Sequence, residues 1–204
     1  MRELYIIGDS ISMGYGPFLR GLLPGGWYLN RKEDKQGSAW KNLDLPQGEN
    51  NGDSRMALAY VKYLFSVNWR IPALLLLNCG LHDVKRIDGI CQIPLESYRR
   101  NLAGIFDLLL RENVPVVWIS STPVDDETHN RLKDDFKRYN ADVINYNEAA
   151  AGIAGEKGVP VIDLYAATLP HIPAGFMDHV HYREDVRKFQ AEFICNSIKT
   201  ALVL

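Results

Sequence analysis

The chain has 204 residues, long for one small domain and short for two, so a single domain over 1–204 is expected. An apolar share of 47% with 24% charged residues is ordinary for a globular protein and excludes extended disorder. The net charge of -2 gives no electrostatic case for nucleic acid or an anionic membrane as partner.

Leu4-Tyr5-Ile6-Ile7 is an apolar run closed by Gly8, which predicts a strand buried on both faces. That run is too short for a signal h-region and no later stretch approaches a membrane span, so a cytoplasmic location is the default expectation. A helix is expected over 15–23, ended by Pro24-Gly25-Gly26, then a strand at 27–29. Residues 32–51 turn polar and Gly-rich and predict a long loop. Ser54 reads as the N-cap of a helix carrying Met56, Leu58, Tyr60, Val61, Leu64 and Phe65.

Residues 73–78 form the clearest buried strand, followed by Cys79-Gly80. A long helix over 95–112 leads to a strand at 114–120. After a polar loop holding Asp125, Asp126 and His129, a helix covers much of 132–154. A strand at 161–164 and a helix over 184–201 complete the chain. Strands alternating with helices imply right-handed crossovers and a parallel sheet covered on both faces, a three-layer α/β/α sandwich. Ligands gather at the carboxyl ends of the strands in such folds.

Cys79, Cys91 and Cys195 have no metal-ligand spacing and cannot all pair, so reduced, mostly buried thiols are expected. Gly-Asp-Ser occurs twice, at Gly8-Asp9-Ser10 and Gly52-Asp53-Ser54. A nucleophile gains from a rigid strand end that holds its hydroxyl in the cleft, with helix N-terminal amides nearby to meet an oxyanion. Ser10 has that setting; Ser54 follows loop and is accounted for as a helix cap.

Asp178-His179-Val180-His181 lies between the last strand and the last helix. A serine hydroxyl needs a base, and the base needs an acid to fix its tautomer. An Asp three positions before a His can turn back to that ring's Nδ1 and leave Nε2 for the serine, so His181 is the expected base and Asp178 its partner. His179 is expected to point elsewhere. A metal site is the rival reading of this cluster, but no matching ligand group accompanies it. His129 and His171 read as surface or loop histidines. Asp163 reads as the cap of the segment after its strand, with the acid role as its alternative.

The ordered set resembles the SGNH (GDSL-like) hydrolase family over nearly the whole chain. Gly8-Asp9-Ser10-Ile11-Ser12 is placed as that family's first block, and Asn50-Asn51-Gly52-Asp53-Ser54 is similar to its Asn-x-Gly-x-Ser element. Asp178-His179-Val180-His181 looks like the family's terminal Asp-x-x-His. The resemblance implies a flavodoxin-like sheet of about five strands in the order 2-1-3-4-5. It also implies an oxyanion hole built from the Ser10 and Gly52 amides. The third block departs: Gly80-Leu81-His82-Asp83 stands where the family has Gly-x-Asn-Asp, so His82 occupies the place of an Asn donor. An imidazole also donates a hydrogen bond, and the expectation is that His82 serves the oxyanion with Asp83 fixing its ring. Asp9 is expected to brace the turn.

The resemblance implies a carboxylic-ester hydrolase acting through an acyl-enzyme, which needs neither metal nor organic cofactor. Its expected partner is a small-molecule or glycan ester, with acetyl on a sugar preferred because no long apolar stretch suggests a lipid-binding lid. Lysophospholipase or thioesterase activity, acyl transfer and a degenerate binding module are the alternatives. Loops 32–51, 122–131 and 169–177 are expected to shape the pocket. Trp27, Trp40, Tyr15 and Tyr28 are candidates for stacking on sugars, with core packing as the commoner role. Oligomeric state is left open.

Overall fold

The computed structural model describes residues 1–202, and its main sheet carries five parallel strands. In chain order these are β1 (Arg2–Ile7), β2 (Trp27–Arg31), β3 (Leu74–Leu77), β6 (Val116–Ile119) and β7 (Val161–Ile162). Between β3 and β6 lies a hairpin, β4 (Arg86–Ile87) with β5 (Ile90–Cys91). The sheet order is β2-β1-β3-β6-β7, the 2-1-3-4-5 order that the resemblance implied. Leu74–Leu77 and Val116–Ile119 are buried at every residue, as strands covered on both faces require.

The helices are α1 (Ser10–Leu22), α2 (Ser38–Lys41), α3 (Ser54–Ser66), α4 (Leu95–Arg111), α5 (Asp126–Leu132), α6 (Asn140–Glu156), α7 (Leu164–Thr168) and α8 (Glu184–Leu202). One face of the sheet carries α1 packed on α8, and α3, α4 and α6 pack together in sequence. The core joins Leu4, Ile6 and Ile7 to Leu74–Leu77, Tyr98, Leu102, Ile105, Phe106 and Trp118 in one continuous cluster. Burial of that apolar surface is the main force holding the three layers together.

Several boundaries differ from expectation. Helix α1 begins at Ser10, not near Tyr15, because the Asp9 carboxylate caps it by accepting from the Ile11 amide at 2.9 Å. Helix α3 is likewise capped by Asp53, which accepts from the Met56 amide at 2.9 Å, so Ser54 is its first residue and not its cap. The polar stretch before the expected helix at 132–154 holds α5, capped by Asp125 onto the Thr128 amide, and α6 starts only at Asn140. The strand expected at 161–164 stops at Ile162, where Asp163 caps α7 by accepting from Ala166. The hairpin turns on Asp88-Gly89, both with positive φ, a dipeptide whose preference for that turn is a local signal.

Loop 32–51 is folded rather than open. Asp34 accepts from the Ser38 and Ala39 amides to start the single turn of α2. Those bonds hold the Asp34 carboxyl down at about 2. Among the described residues no helix is long and apolar enough to cross a membrane.

Candidate active site

The first strand ends at Ile7, and Gly8 lets the chain enter α1 closely: a Cβ there would lie 2.7 Å from the Ser12 hydroxyl. Ser10 is therefore the first residue of a helix of 13 residues, with the Asp9 cap beneath it. Its amide is one of the helix-start N–H groups that have no partner within the helix, and the helix macrodipole favours negative charge there.

The candidate base, His181, arrives from the other end of the chain. Asp178 Oδ1 accepts from the amides of Val180 and His181 at 2.7 and 2.8 Å, which closes a tight turn. Met177 N–H bonds the His181 carbonyl and Arg183 N–H that of Gly175, while the Tyr182 hydroxyl donates to the Pro123 carbonyl. The turn brings His181 Nδ1 to 2.7 Å from Asp178 Oδ2 and His181 Nε2 to 2.9 Å from Ser10 Oγ. An ionised carboxylate only accepts, so Nδ1 carries the proton and Nε2 faces the serine as acceptor. Burial would raise the Asp178 carboxyl, but the His181 ring, its charge and the two turn amides outweigh this and hold it well below the usual range.

His82 lies buried at 2% exposure, and its Nδ1 has no hydrogen-bond partner. Burial, with the Lys85 and Arg138 cations beside it, holds its pKa well below the ordinary value, so the ring is neutral near pH 7. Asp83 does not fix that ring. Both of its carboxylate oxygens accept from the Ser54 amide at 3.0 Å, which places Asp83 under the start of α3. Burial pushes this carboxyl up to about 8 against the Ser54 hydrogen bonds. The Gly52 amide donates to Asn50 Oδ1 at 3.0 Å, so its N–H already has a partner. Burial raises the Asp9 carboxyl against its bond from the Ile11 amide, consistent with a bracing role inside the turn.

Sequence reasoning missed three features of this region. His129 is fully buried, not a surface residue, and its Nδ1 meets His179 Nδ1 at 2.9 Å; burial first, and then Arg138, lowers its pKa to about 3. Asn51 hydrogen-bonds the Gly8 carbonyl through its amide, yet both polar atoms of its own buried side chain lack partners. A cationic cluster surrounds Asp44: Lys133 at 2.6 Å, Arg138 at 3.5 Å, and Lys85 on the Asp44 carbonyl at 2.6 Å. Buried Arg138 also donates to the Leu81 carbonyl at 3.0 Å, just before His82. None of these contacts has a local signature, although Asp-containing loops and a basic stretch mark the participants.

A small cleft opens beside Ser10 and His181, lined by Ile11, Gly14, Trp40, Leu43, Met177, Tyr182, Arg187 and Gln190. Loops 32–51 and 169–177 contribute Trp40, Leu43 and Met177, whereas loop 122–131 contributes nothing to this lining. Trp40 is half exposed here; Tyr15 is core, and Trp27 packs against it with Arg2 over its ring. Cys79 and Cys195 are buried and Cys91 half-buried, all three unpaired. Among the described residues no group of three or more His, Cys, Asp or Glu is arranged to hold a metal ion.

No protein-family model matches the chain, and no curated protein matches it in sequence. Solved structures do match in fold. A lipase/acylhydrolase from Enterococcus faecalis aligns with TM-score 0.73 at 16% identity, covering 98% of this chain and 97% of that one. A GDSL-like lipase from Bacteroides thetaiotaomicron aligns with TM-score 0.68 at 16% identity, over 98% and 89% of the two chains. A carbohydrate acetylesterase from Sinorhizobium meliloti aligns with TM-score 0.70 at 12% identity over 100% of both. The chain thus has the three-layer α/β/α fold of the GDSL-type hydrolases, with Ser10 at the strand end where that fold gathers ligands.

Proposed function

We propose that the chain is a serine esterase of the SGNH type, acting through an acyl-enzyme on a short acyl group such as acetyl carried by a carbohydrate. One observation carries this reading: Ser10 Oγ, His181 Nε2, His181 Nδ1 and Asp178 Oδ2 form a continuous relay, 2.9 and 2.7 Å across its two links, at the mouth of a cleft. Its polarity is the one nucleophilic catalysis requires, with the carboxylate ionised and the serine-facing nitrogen free to accept.

In this mechanism His181 takes the Ser10 proton as Oγ attacks the ester carbonyl. The carbonyl oxygen becomes negative and meets the Ser10 amide at the start of α1, and neutral His82 donates a second hydrogen bond. Gly52 joins them if the oxyanion displaces Asn50 Oδ1, an exchange of one acceptor for a charged one. His181 then protonates the leaving alcohol, and water attacks the acyl-enzyme with His181 again as base. The Asp178 carboxylate keeps the proton on Nδ1 and stabilises the imidazolium formed at each step.

The short-acyl preference is supported by the modest cleft and by the kinship in fold with a carbohydrate acetylesterase. Hydrolysis of p-nitrophenyl acetate against the butyrate, octanoate and palmitate esters tests it, with kcat/KM expected to fall beyond short chains. A maximum at octanoate or palmitate overturns the short-acyl reading. Absence of turnover on every ester, with intact folding, overturns the esterase reading itself and favours a binding module.

A further inference from the structure

Two residues lining the cleft beside Ser10, Arg187 and Gln190, each carry a buried polar atom without a partner, and the ester chemistry uses neither. Gln190 is wholly buried, and its Oε1 has no partner. Which way its amide points follows from its neighbour. The Thr168 hydroxyl donates to the Leu164 carbonyl at 2.7 Å, so toward Gln190, 3.3 Å away, it can only accept. Gln190 therefore turns its Nε2 to Thr168 and holds Oε1 as a fixed acceptor.

Arg187 lies three residues earlier on α8, on the same helical face. Its stem packs on Gly14, where a Cβ would come within 3.0 Å of Arg187 Cδ, and its guanidinium lies 5.9 Å over the Phe18 ring. Its Nε is buried without an acceptor, and it makes no ion pair among the described residues. Trp40 also lines the cleft, 47% exposed, its indole N–H tied to Glu49 Oε1 at 2.7 Å so that the ring is held in place. The cleft thus offers one fixed donor, one fixed acceptor and a braced aromatic wall.

Three kinds of occupant can be compared. An alkyl chain satisfies neither polar group and so gains nothing from them. A carboxylate pairs with Arg187 but sets an oxygen against Gln190 Oε1. A hydroxyl accepts from Arg187 and donates to Gln190, and a pyranose ring brings such hydroxyls with an apolar face suited to Trp40. We propose that this cleft holds the sugar ring of the acylated substrate, with one ring hydroxyl bridging Arg187 and Gln190 and with Trp40 flanking the ring. The assignment rests on the esterase reading for the reaction, but the subsite itself can be read without turnover.

The test compares kcat/KM for a mono-O-acetylated methyl pyranoside with that for cyclohexyl acetate, a ring of similar size without hydroxyls. The wild-type ratio is expected to favour the sugar by ~10–10³-fold, the size of effect that two buried polar groups left unpaired produce. Gln190→Met and Arg187→Met should each lower that ratio about tenfold. Thr168→Val, which releases the amide orientation, should lower it too. Equal rates on both esters, or variants that slow both esters alike, overturn the proposal. If neither ester is turned over, the methyl pyranoside alone is titrated while tryptophan fluorescence and saturation-transfer NMR are followed. Saturable binding that is lost in Trp40→Phe and Gln190→Met then upholds the subsite though the esterase reading falls; no binding sinks the subsite as well.

Discussion

The two Gly-Asp-Ser motifs are the same tripeptide and build the same local structure, yet of the two serines only Ser10 meets an imidazole. In each, the Asp carboxylate caps a helix of 13 residues and the Ser is the first helical residue. Each Gly allows a close approach that a Cβ would obstruct, against Ser12 at Gly8 and against Pro46 and Met56 at Gly52, where φ is also positive. The difference is tertiary. Ser10 Oγ faces His181, delivered by a turn near the other end of the chain, whereas the Ser54 hydroxyl accepts from Asn101 Nδ2 at 3.0 Å and its amide rests on Asp83. A tripeptide therefore specifies a helix start; what arrives opposite the hydroxyl decides whether the serine can serve as the proposed nucleophile.

The sharpest way to break this contrast is to remove each hydroxyl in turn. Ser10→Ala should lower kcat/KM by on the order of 10⁴–10⁶-fold and abolish labelling by a fluorophosphonate probe. Ser54→Ala should keep labelling and lose about 1–3 kcal/mol of stability, since Asn101 loses a buried acceptor. Labelling that persists in Ser10→Ala and disappears in Ser54→Ala would exchange the two roles. Next in size is Asp178→Asn, expected to cost roughly 10⁴-fold in kcat by favouring the wrong His181 tautomer. A pH–rate profile checks it. The wild type should keep its Asp178 contribution far into acid because that carboxyl is held well below the usual range, so loss of activity on acidification reports another group.

His82 tests the departure from the family's third block. His82→Ala should lower kcat by ~10²–10³-fold with KM changed little, the signature of an interaction made in the transition state. His82→Asn should recover much of that loss by restoring an amide donor. Recovery would place the donor function at position 82. Equal loss in both variants would instead leave the oxyanion to the Ser10 amide and to Asn51, whose side-chain amide is buried without a partner near Gly8.

How legible all this was in the sequence follows the range of the interactions. Leu4–Ile7 and Leu74–Leu77 announced themselves because a strand buried on both faces is apolar throughout. The sheet order came from resemblance, since periodicity says nothing about which strands are neighbours. That Ser10, Asp178 and His181 come together was readable from their spacing and their place at element ends. Helix α5 had a local signal that stood inside a stretch read as polar loop, and Asp53 as cap and the Asp88-Gly89 hairpin had local signals that went unread. The burial of His129, the position of Arg138 beside Asp44 and the bond from Ser54 to Asp83 had none. Each joins segments that meet only after folding, and polar sequence around them gave no warning of an interior.

The last effect, read in stability and not in rate, concerns what holds Ser54 in its structural role. Asp83 is buried with its carboxyl pushed up to about 8, far above an ordinary aspartate. In the unfolded chain it ionises near pH 4, so between about pH 4 and 8 the folded state binds more protons than the unfolded state. Stability from this group is therefore fully present below about pH 4 and declines as pH rises toward 8, with a slope of up to about 1.4 kcal/mol per pH unit. Asp83→Asn keeps an oxygen for the Ser54 amide and removes the titration. Denaturant unfolding at pH 5, 6, 7 and 8 should show a flatter dependence in the variant than in the wild type. Ser10 meets the imidazole proposed to cycle its proton, whereas Ser54 rests on an acid that burial discourages from releasing one. Parallel slopes in the two proteins would mean that Asp83 stays ionised beneath Ser54.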